Sequence, residues 1–293
     1  FNTYYDVGLK EARWGQLEGR NGFTGVRGDL ADKDALLRLC DTYEPGVIVH
    51  LAAQAGVRYG VENPGAYVES NLTGFVNILE AARTLEVEHL VFASTSSVYG
   101  ANRAMPYAEN HGTAHPLSLY AATKKANEVL AHSYAHLYRI PVTGLRFFTV
   151  YGPWGRPDMA PQKFTAKIFA GDTIEVYNGG KMMRDFTFID DIVEGLVRVT
   201  DHIPVVDESW DPMAPSPDGS GVAPYRIFNI GRGAPVQLMD FIAALEKHVG
   251  RKAKLEMSTM QAGDVEGTWC DVSALERAVG YRPKVSLDEG LTK

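Results

Sequence analysis

Tyr120 and Lys124 stand four residues apart in a stretch, Pro116 to Lys125, that reads as a helix start. Four residues are about one turn, so the phenol and the ammonium share a face. Upstream, the apolar run His89-Leu90-Val91-Phe92-Ala93 reads as a buried parallel strand. It empties into four consecutive hydroxyls, Ser94, Thr95, Ser96 and Ser97. Hydroxyls at a strand's carboxyl end, facing a Tyr and a Lys, can move a proton and a hydride on a sugar. Taken alone, a Tyr-x-x-x-Lys pair is weak, because such pairs are common on helices. Thr95 also has a plainer reading, an ST-turn that merely ends the strand.

The elements that would position these groups follow from the hydropathy pattern. Val7 to Leu17 reads as a helix, Thr24 to Leu30 as a short strand, and Ala31 to Tyr43 as a helix. Gly46 to Ala53 reads as a buried strand, Pro64 to Leu85 as a long helix, Leu117 to Tyr138 as a helix and Pro141 to Phe148 as a strand. Strands alternating with helices imply a parallel sheet with helices on both faces, an α/β fold. Ligands of such sheets sit outside the carboxyl ends of the strands. Gly28-Asp29-Leu30, Leu51-Ala52-Ala53, Ser94 to Ser97 and Phe147 to Thr149 converge there. After Tyr151 the pattern loosens into helices at Pro161–Gly171, Asp190–Thr200 and Val236–Val249. These alternate with strands at Ile174–Tyr177, Phe186–Phe188, Tyr225–Ile230 and Lys254–Met257. The second half therefore reads as a smaller lobe over the sheet edge, which divides the chain into residues 1–150 and 151–293. Such lids exclude water and fix a substrate. The Pro/Ser/Gly-rich piece from Asp211 to Pro224 reads as a surface loop.

With 293 residues the chain suits one large domain or two small ones. A net charge of -7 argues against a nucleic-acid or anionic-membrane surface. Cys40 and Cys270 stand in no metal or redox spacing, as expected of reduced thiols in a cytoplasmic protein. No run is long and apolar enough to span a bilayer. The eight His lie in no ligand spacing, and His132 and His136 read as helix surface or interface. No metal is expected. No G-x-G-x-x-G occurs. Such a turn opens a unit of about 30 residues, and the abrupt start at Phe1 reads as a chain trimmed where that unit would lie. A signal or anchor at a true N-terminus stays open.

Five blocks in order resemble the extended short-chain dehydrogenase/reductase family. They are Ala52-Ala53-Gln54-Ala55-Gly56-Val57-Arg58, Ser94 to Gly100, Tyr120-x-x-x-Lys124, Arg146 to Pro153, and Arg184 to Asp191. Within that family the chain is most similar to the nucleotide-sugar epimerases, those of UDP-glucuronate first. The resemblance spans nearly the whole chain. It implies a Rossmann-like doubly wound parallel sheet that binds NAD, a smaller C-terminal α/β substrate lobe, and an N-terminal Gly-rich unit absent from this chain. It also implies C4 epimerisation of UDP-glucuronate to UDP-galacturonate through a 4-keto sugar, without decarboxylation. The competing readings are another UDP-hexose or hexuronate 4-epimerase, and a non-catalytic nucleotide-sugar-sensing relative.

The resemblance assigns roles to individual residues. Tyr120 takes the C4 hydroxyl proton, with Lys124 beside it and on the nicotinamide ribose, and Thr95 relays the proton at O4. A free Tyr has a pKa near 10, so work near pH 7 requires a drop of about 3 units, roughly 4 kcal/mol. The Lys124 ammonium and the cationic nicotinamide ring are the expected sources. Asp29 and Leu30 flank the adenine. Leu51, Ala52 and Ala53 run along the cofactor, as do Ala93, Ser94 and Phe147, and Asn71 braces the backbone nearby. Ser96 and Ser97 stand where related dehydratases and decarboxylases keep acids. With Thr149 they suit a C5 carboxylate, while Arg156 shapes the pocket. Arg184 is expected on the pyrophosphate and Asp264 on the uridine ribose, with Gln261 where galactose epimerases have Arg. Arg58 is the candidate second phosphate cation. Lys163, Phe164, Val176, Tyr177 and Asn178 belong to the uracil-contacting segments, with core packing an equal alternative for Phe164. The two long helices pack as a four-helix interface in the family, so a homodimer is expected.

Overall fold

The computed structural model describes residues 2–260 and 265–293. The chain opens with α1 (Val7–Gly15) and α2 (Lys33–Tyr43) and enters the sheet at β1 (Val47–His50). Short α3 (Tyr59–Glu62) and α4 (Pro64–Tyr67) lead through a π-helical stretch, Val68–Thr73, into α5 (Gly74–Thr84). Next come β2 (His89–Thr95), a 3-10 turn at Ser96–Tyr99, α6 (Leu119–Tyr138), β3 (Val142–Phe147) and β4 (Thr149–Tyr151). The second half holds α7 (Ala160–Ala170), β5 (Thr173–Val176), β6 (Met183–Phe188), α8 (Ile189–Thr200) and β7 (Tyr225–Ile230). It ends in β8 (Pro235–Gln237), α9 (Leu238–Val249), β9 (Lys254–Met257), β10 (Gly267–Thr268), α10 (Ser273–Val279) and α11 (Leu287–Thr292).

The main sheet is parallel, in the order β1-β2-β3-β7. Side chains alternate across it. Leu90 and Phe92 pack with Phe75, Ile78, Leu79, Val142 and Ile227 on one face. Val91, Leu145, Phe228 and Ile230 meet Ile192 and Val199 of α8 and Leu275 of α10 on the other. Both faces are therefore covered by helices, the doubly wound arrangement.

Four segments differ from the sequence-based expectation. Thr24 to Leu30 forms no strand. A strand needs a ladder partner, and the described residues place none beside this exposed segment. The strand expected from Gly46 to Ala53 stops at His50, leaving Leu51, Ala52 and Ala53 exposed. The long helix from Pro64 is widened by the π turn around Asn71. Tyr225–Ile230, expected in the second lobe, pairs with β3 in the main sheet. Its buried pattern suits a position between two covered faces.

The second lobe is built on β4, β6 and β10 in parallel, with β8 antiparallel to β6 and a separate β5–β9 pair. Phe186 of β6 stacks on Phe241 of α9 with centroids 4.1 Å apart. Tyr151, Ile168, Ile174, Val176 and Leu245 complete that core.

Candidate active site

The carboxyl end of β2 sets the site. Thr95 is extended, and its hydroxyl accepts from Ser97 N at 3.2 Å, capping the Ser96–Tyr99 turn. The ST-turn is real, and it presents Ser96 and Ser97, both partly buried, at the strand exit. Gly100 closes the turn at φ +53°, where an added Cβ would lie 2.0 Å from the His115 carbonyl oxygen. Only Gly accepts both demands.

Helix α6 is started by Ser118, whose hydroxyl accepts from Ala121 N at 3.1 Å. That cap puts Tyr120 in the first turn. Small residues Ala121, Ala131 and Ala135 line the buried face of α6 and allow close approach to the sheet. The same face carries Lys124, 1 % exposed, with no hydrogen-bond or ion-pair partner among the described residues. Burial pulls its ammonium down to about 8, and the Glu128 carboxylate works against that. Burial raises the Tyr120 phenol, while the Thr95 hydroxyl beside it and the Arg156 guanidinium pull it back. Arg156, not Lys124, is thus the protein cation that eases Tyr120 ionisation. Arg156 is held by Asp158 through Nε at 3.0 Å and a second nitrogen at 2.5 Å, and the Tyr4 hydroxyl donates to the same carboxylate at 3.1 Å.

The strand-end residues are organised by side chains from the helices. Asn71 accepts from Gln54 N at 2.7 Å and donates to Gln54 O at 3.0 Å and to the Thr123 hydroxyl at 3.0 Å. It fixes the chain just beyond Leu51, Ala52 and Ala53. Asn127 donates to Asn71 O at 2.6 Å, tying α6 to the π turn. Asp29 accepts from Ala31 N at 2.9 Å, and Asn77 donates to Leu30 O at 2.8 Å, holding that turn from α5.

Other expected residues are distributed unevenly. Thr95 pairs in register with Phe147, so Thr149 lies two residues past the neighbouring strand end, where it opens β4. Ala93 and Phe147 are partly buried at the same strand ends. Ser94 is different: it is buried and its hydroxyl donates to Glu128 at 2.7 Å, so its side chain is engaged below the site. Arg58 reaches across to the second lobe, its guanidinium 5.4 Å from the Tyr177 ring centre. Asn178 takes φ +52° and donates to Lys181 O at 3.0 Å. Lys163 is exposed. Phe164 and Val176 belong to the second core, so their side chains face inward. For Phe164 the packing alternative is the one observed. Arg184 donates to the carbonyls of Met183 at 2.9 Å and Val265 at 2.9 Å. Its neighbour Asp185 is fully buried on the opposite side of β6, accepting from Arg232 N and Gly233 N. Gln261 and Asp264 lie outside the described residues.

Glu128, Arg146, Asn77 and Asn127 had no role in the sequence reading. Glu128 was findable: it continues the four-residue spacing of Tyr120 and Lys124.

Comparison with known proteins identifies the family. The model of the NAD dependent epimerase/dehydratase family matches residues 6–231. The chain is 51% identical over 291 residues to the "Probable UDP-glucuronate 4-epimerase" of Rhizobium meliloti, covering 99% of this chain and 85% of that one. It is 48% identical over 292 residues to protein CapI of Staphylococcus aureus, covering 100% of this chain and 87% of the relative. Among solved structures, the UDP-glucuronic acid 4-epimerase of Bacillus cereus, in complex with UDP-glucuronic acid and NAD, superimposes with a TM-score of 0.84. It is 31% identical, over 97% of this chain and 84% of that one. The chain belongs to the NAD dependent epimerase/dehydratase family.

Proposed function

We infer that this chain is an NAD-dependent 4-epimerase that interconverts UDP-glucuronate and UDP-galacturonate through a 4-keto sugar. The observation that carries the reading is the juxtaposition of Tyr120, Thr95 and buried Lys124 with hydroxyls, not acids, at positions 96 and 97. The residues present fit the cofactor: Lys124 is buried with no hydrogen-bond or ion-pair partner among the described residues, and Leu51, Ala52 and Ala53 are exposed beyond the end of β1. Bound there, NAD would supply reversible hydride transfer at C4. Tyr120 accepts the C4 hydroxyl proton, with Thr95 relaying it. Lys124 holds the nicotinamide ribose, and Arg156 favours the phenolate. Asn71 keeps the cofactor edge in place. Asp29 and Leu30 lie at its adenine end.

The substrate is read from the hydroxyls. A glucuronate oxidised at C4 is a β-keto acid, which loses carbon dioxide fastest when the breaking bond aligns with the carbonyl π system. Ser96, Ser97 and Thr149 hold the C5 carboxylate away from that alignment, and an Asp or Glu in their place would repel it. Arg58 with Tyr177, Asn178, Lys163 and Arg184 serve the nucleotide end, where guanidinium forks suit phosphate. Assaying UDP-glucose, UDP-glucuronate and their N-acetyl relatives side by side tests the assignment, with UDP-glucuronate expected to turn over fastest. In Thr149→Val, release of carbon dioxide or a UDP-pentose should rise; no rise in either would count against the carboxylate cradle.

The protein acts as a homodimer in the reducing cytoplasm. Val61, Val68, Leu117, Val129 and Leu137 are large apolar residues left exposed on or beside the helices expected to pair. Both cysteines are free and buried. No helix of the described residues is long and apolar enough to cross a membrane. A monomer in sedimentation at micromolar concentration would contradict the dimer.

A further inference from the structure

Glu128 is 1 % exposed and Arg146 is fully buried beneath the site. Every oxygen lone-pair direction of Glu128 is engaged. One oxygen accepts from Ser94 Oγ at 2.7 Å and Arg146 Nε at 2.9 Å. The other accepts from a terminal nitrogen of Arg146 and from Lys125 Nζ, each at 3.0 Å. Arg146 goes on to donate to the Tyr99 hydroxyl at 3.1 Å and to Glu109 O at 2.9 Å. One carboxylate on α6 therefore grips the ends of β2 and β3, and through Arg146 the turn and loop that follow β2. It lies one helical turn beyond Lys124, as Lys124 lies one turn beyond Tyr120.

We propose that Glu128 is a positioning residue for the reaction, acting on Lys124 from one helical turn away while its buried carboxylate fixes α6 against the two strand ends. The proposal rests on the catalytic reading of Lys124 given above. The groups facing Lys124 allow Glu128 this part. From β1 comes His50, held neutral by burial and by the Lys124 charge. On α6 are Tyr120, itself protonated by burial, and Glu128. Glu128 stays ionised: burial pushes its carboxyl up, and Arg146, Lys125 and Ser94 bring it below its ordinary value. The carboxylate thus opposes the burial that lowers the Lys124 ammonium.

The test is Cε–Nζ correlation NMR of the full-length protein with isotope-labelled lysine, titrated with pH, Lys124 being assigned through Lys124→Arg. The pH profile of kcat is measured alongside. In Glu128→Gln the Lys124 midpoint should fall by about one pH unit, tenfold in proton affinity, and the alkaline limb of kcat should move with it. Glu128→Asp, which keeps the charge, should hold the midpoint even where kcat drops. Should the lone Gln variant not fold, Glu128→Met with Arg146→Met removes both buried charges, leaving only the part-exposed Lys125 without its partner, and should show a smaller fall in the same direction. An unchanged midpoint in a folded charge-removing variant overturns the proposal. A midpoint that falls while the alkaline limb stays supports the coupling and overturns the catalytic role of Lys124.

Discussion

Tyr120 is held in its acid form by burial, and the two groups that ease its ionisation, the Thr95 hydroxyl and the Arg156 guanidinium, come from different parts of the chain. A phenol so placed works as a base only when more positive charge joins it, which suits a step confined to the assembled complex. Tyr120→Phe should keep the fold and lower kcat by about 10²–10⁴-fold, read as the rate of C4 epimer formation. A rate within tenfold of the parent would remove Tyr120 from the proton step. Asp158→Asn should act on the same group at one remove. It frees Arg156 from its bidentate partner, and kcat should fall several-fold with little change in thermal stability, because the pair is partly exposed. Tyr120, Lys124 and Thr95 were legible in the sequence because their types and spacing carry chemistry directly. Arg156's electrostatic part was not, since it depends on where a loop some thirty residues on comes to rest.

Among the elements, the helix from Pro64 shows what periodicity conveys and what it omits. Its apolar spacing locates the helix, yet the π turn at Val68–Thr73 follows from a tertiary demand, the pairing of Asn71 with the Gln54 backbone. Asn71→Leu should destabilise the protein by about 2–3 kcal/mol, since buried backbone groups of Gln54 lose their partner. The same variant should retain less NAD on purification. Thermal melting and the cofactor content of the purified protein check both, and an unchanged cofactor content would separate Asn71 from the cofactor edge. Thr24 to Leu30 teaches the complementary lesson. An alternating apolar pattern makes a strand only where a neighbour completes the ladder, and ladder neighbours are not a local property of the sequence. The parallel order β1-β2-β3-β7 was legible as a class, whereas the return of Tyr225–Ile230 to the main sheet depends on contacts far apart in the chain.

At the scale of the whole molecule, a buried polar chain from Glu128 through Arg146 and Glu109 to Asn229 joins α6, β3, the loop before α6 and β7. Burial raises the Glu109 carboxyl from 4.5 to about 7. The folded state therefore holds this proton more tightly than the unfolded chain, and the stability it confers is full below about pH 4.5 and lost as pH rises through about 7. Glu109→Gln should gain on the parent by up to about 2–3 kcal/mol between pH 5 and pH 8 in denaturant unfolding. A difference independent of pH would show that Glu109 is ionised throughout. The lobes meet where Arg58 covers Tyr177, two residues far apart in the sequence. The central claim is that hydroxyls following Thr95, in place of acids, make this an epimerase of an acidic sugar. Proton NMR of the full-length protein with UDP-glucuronate tests it most directly. Growth of the UDP-galacturonate anomeric signal to a stable ratio, without carbon dioxide or a UDP-pentose, is the predicted result; an unchanged spectrum, or a pentose as the main product, would contradict it.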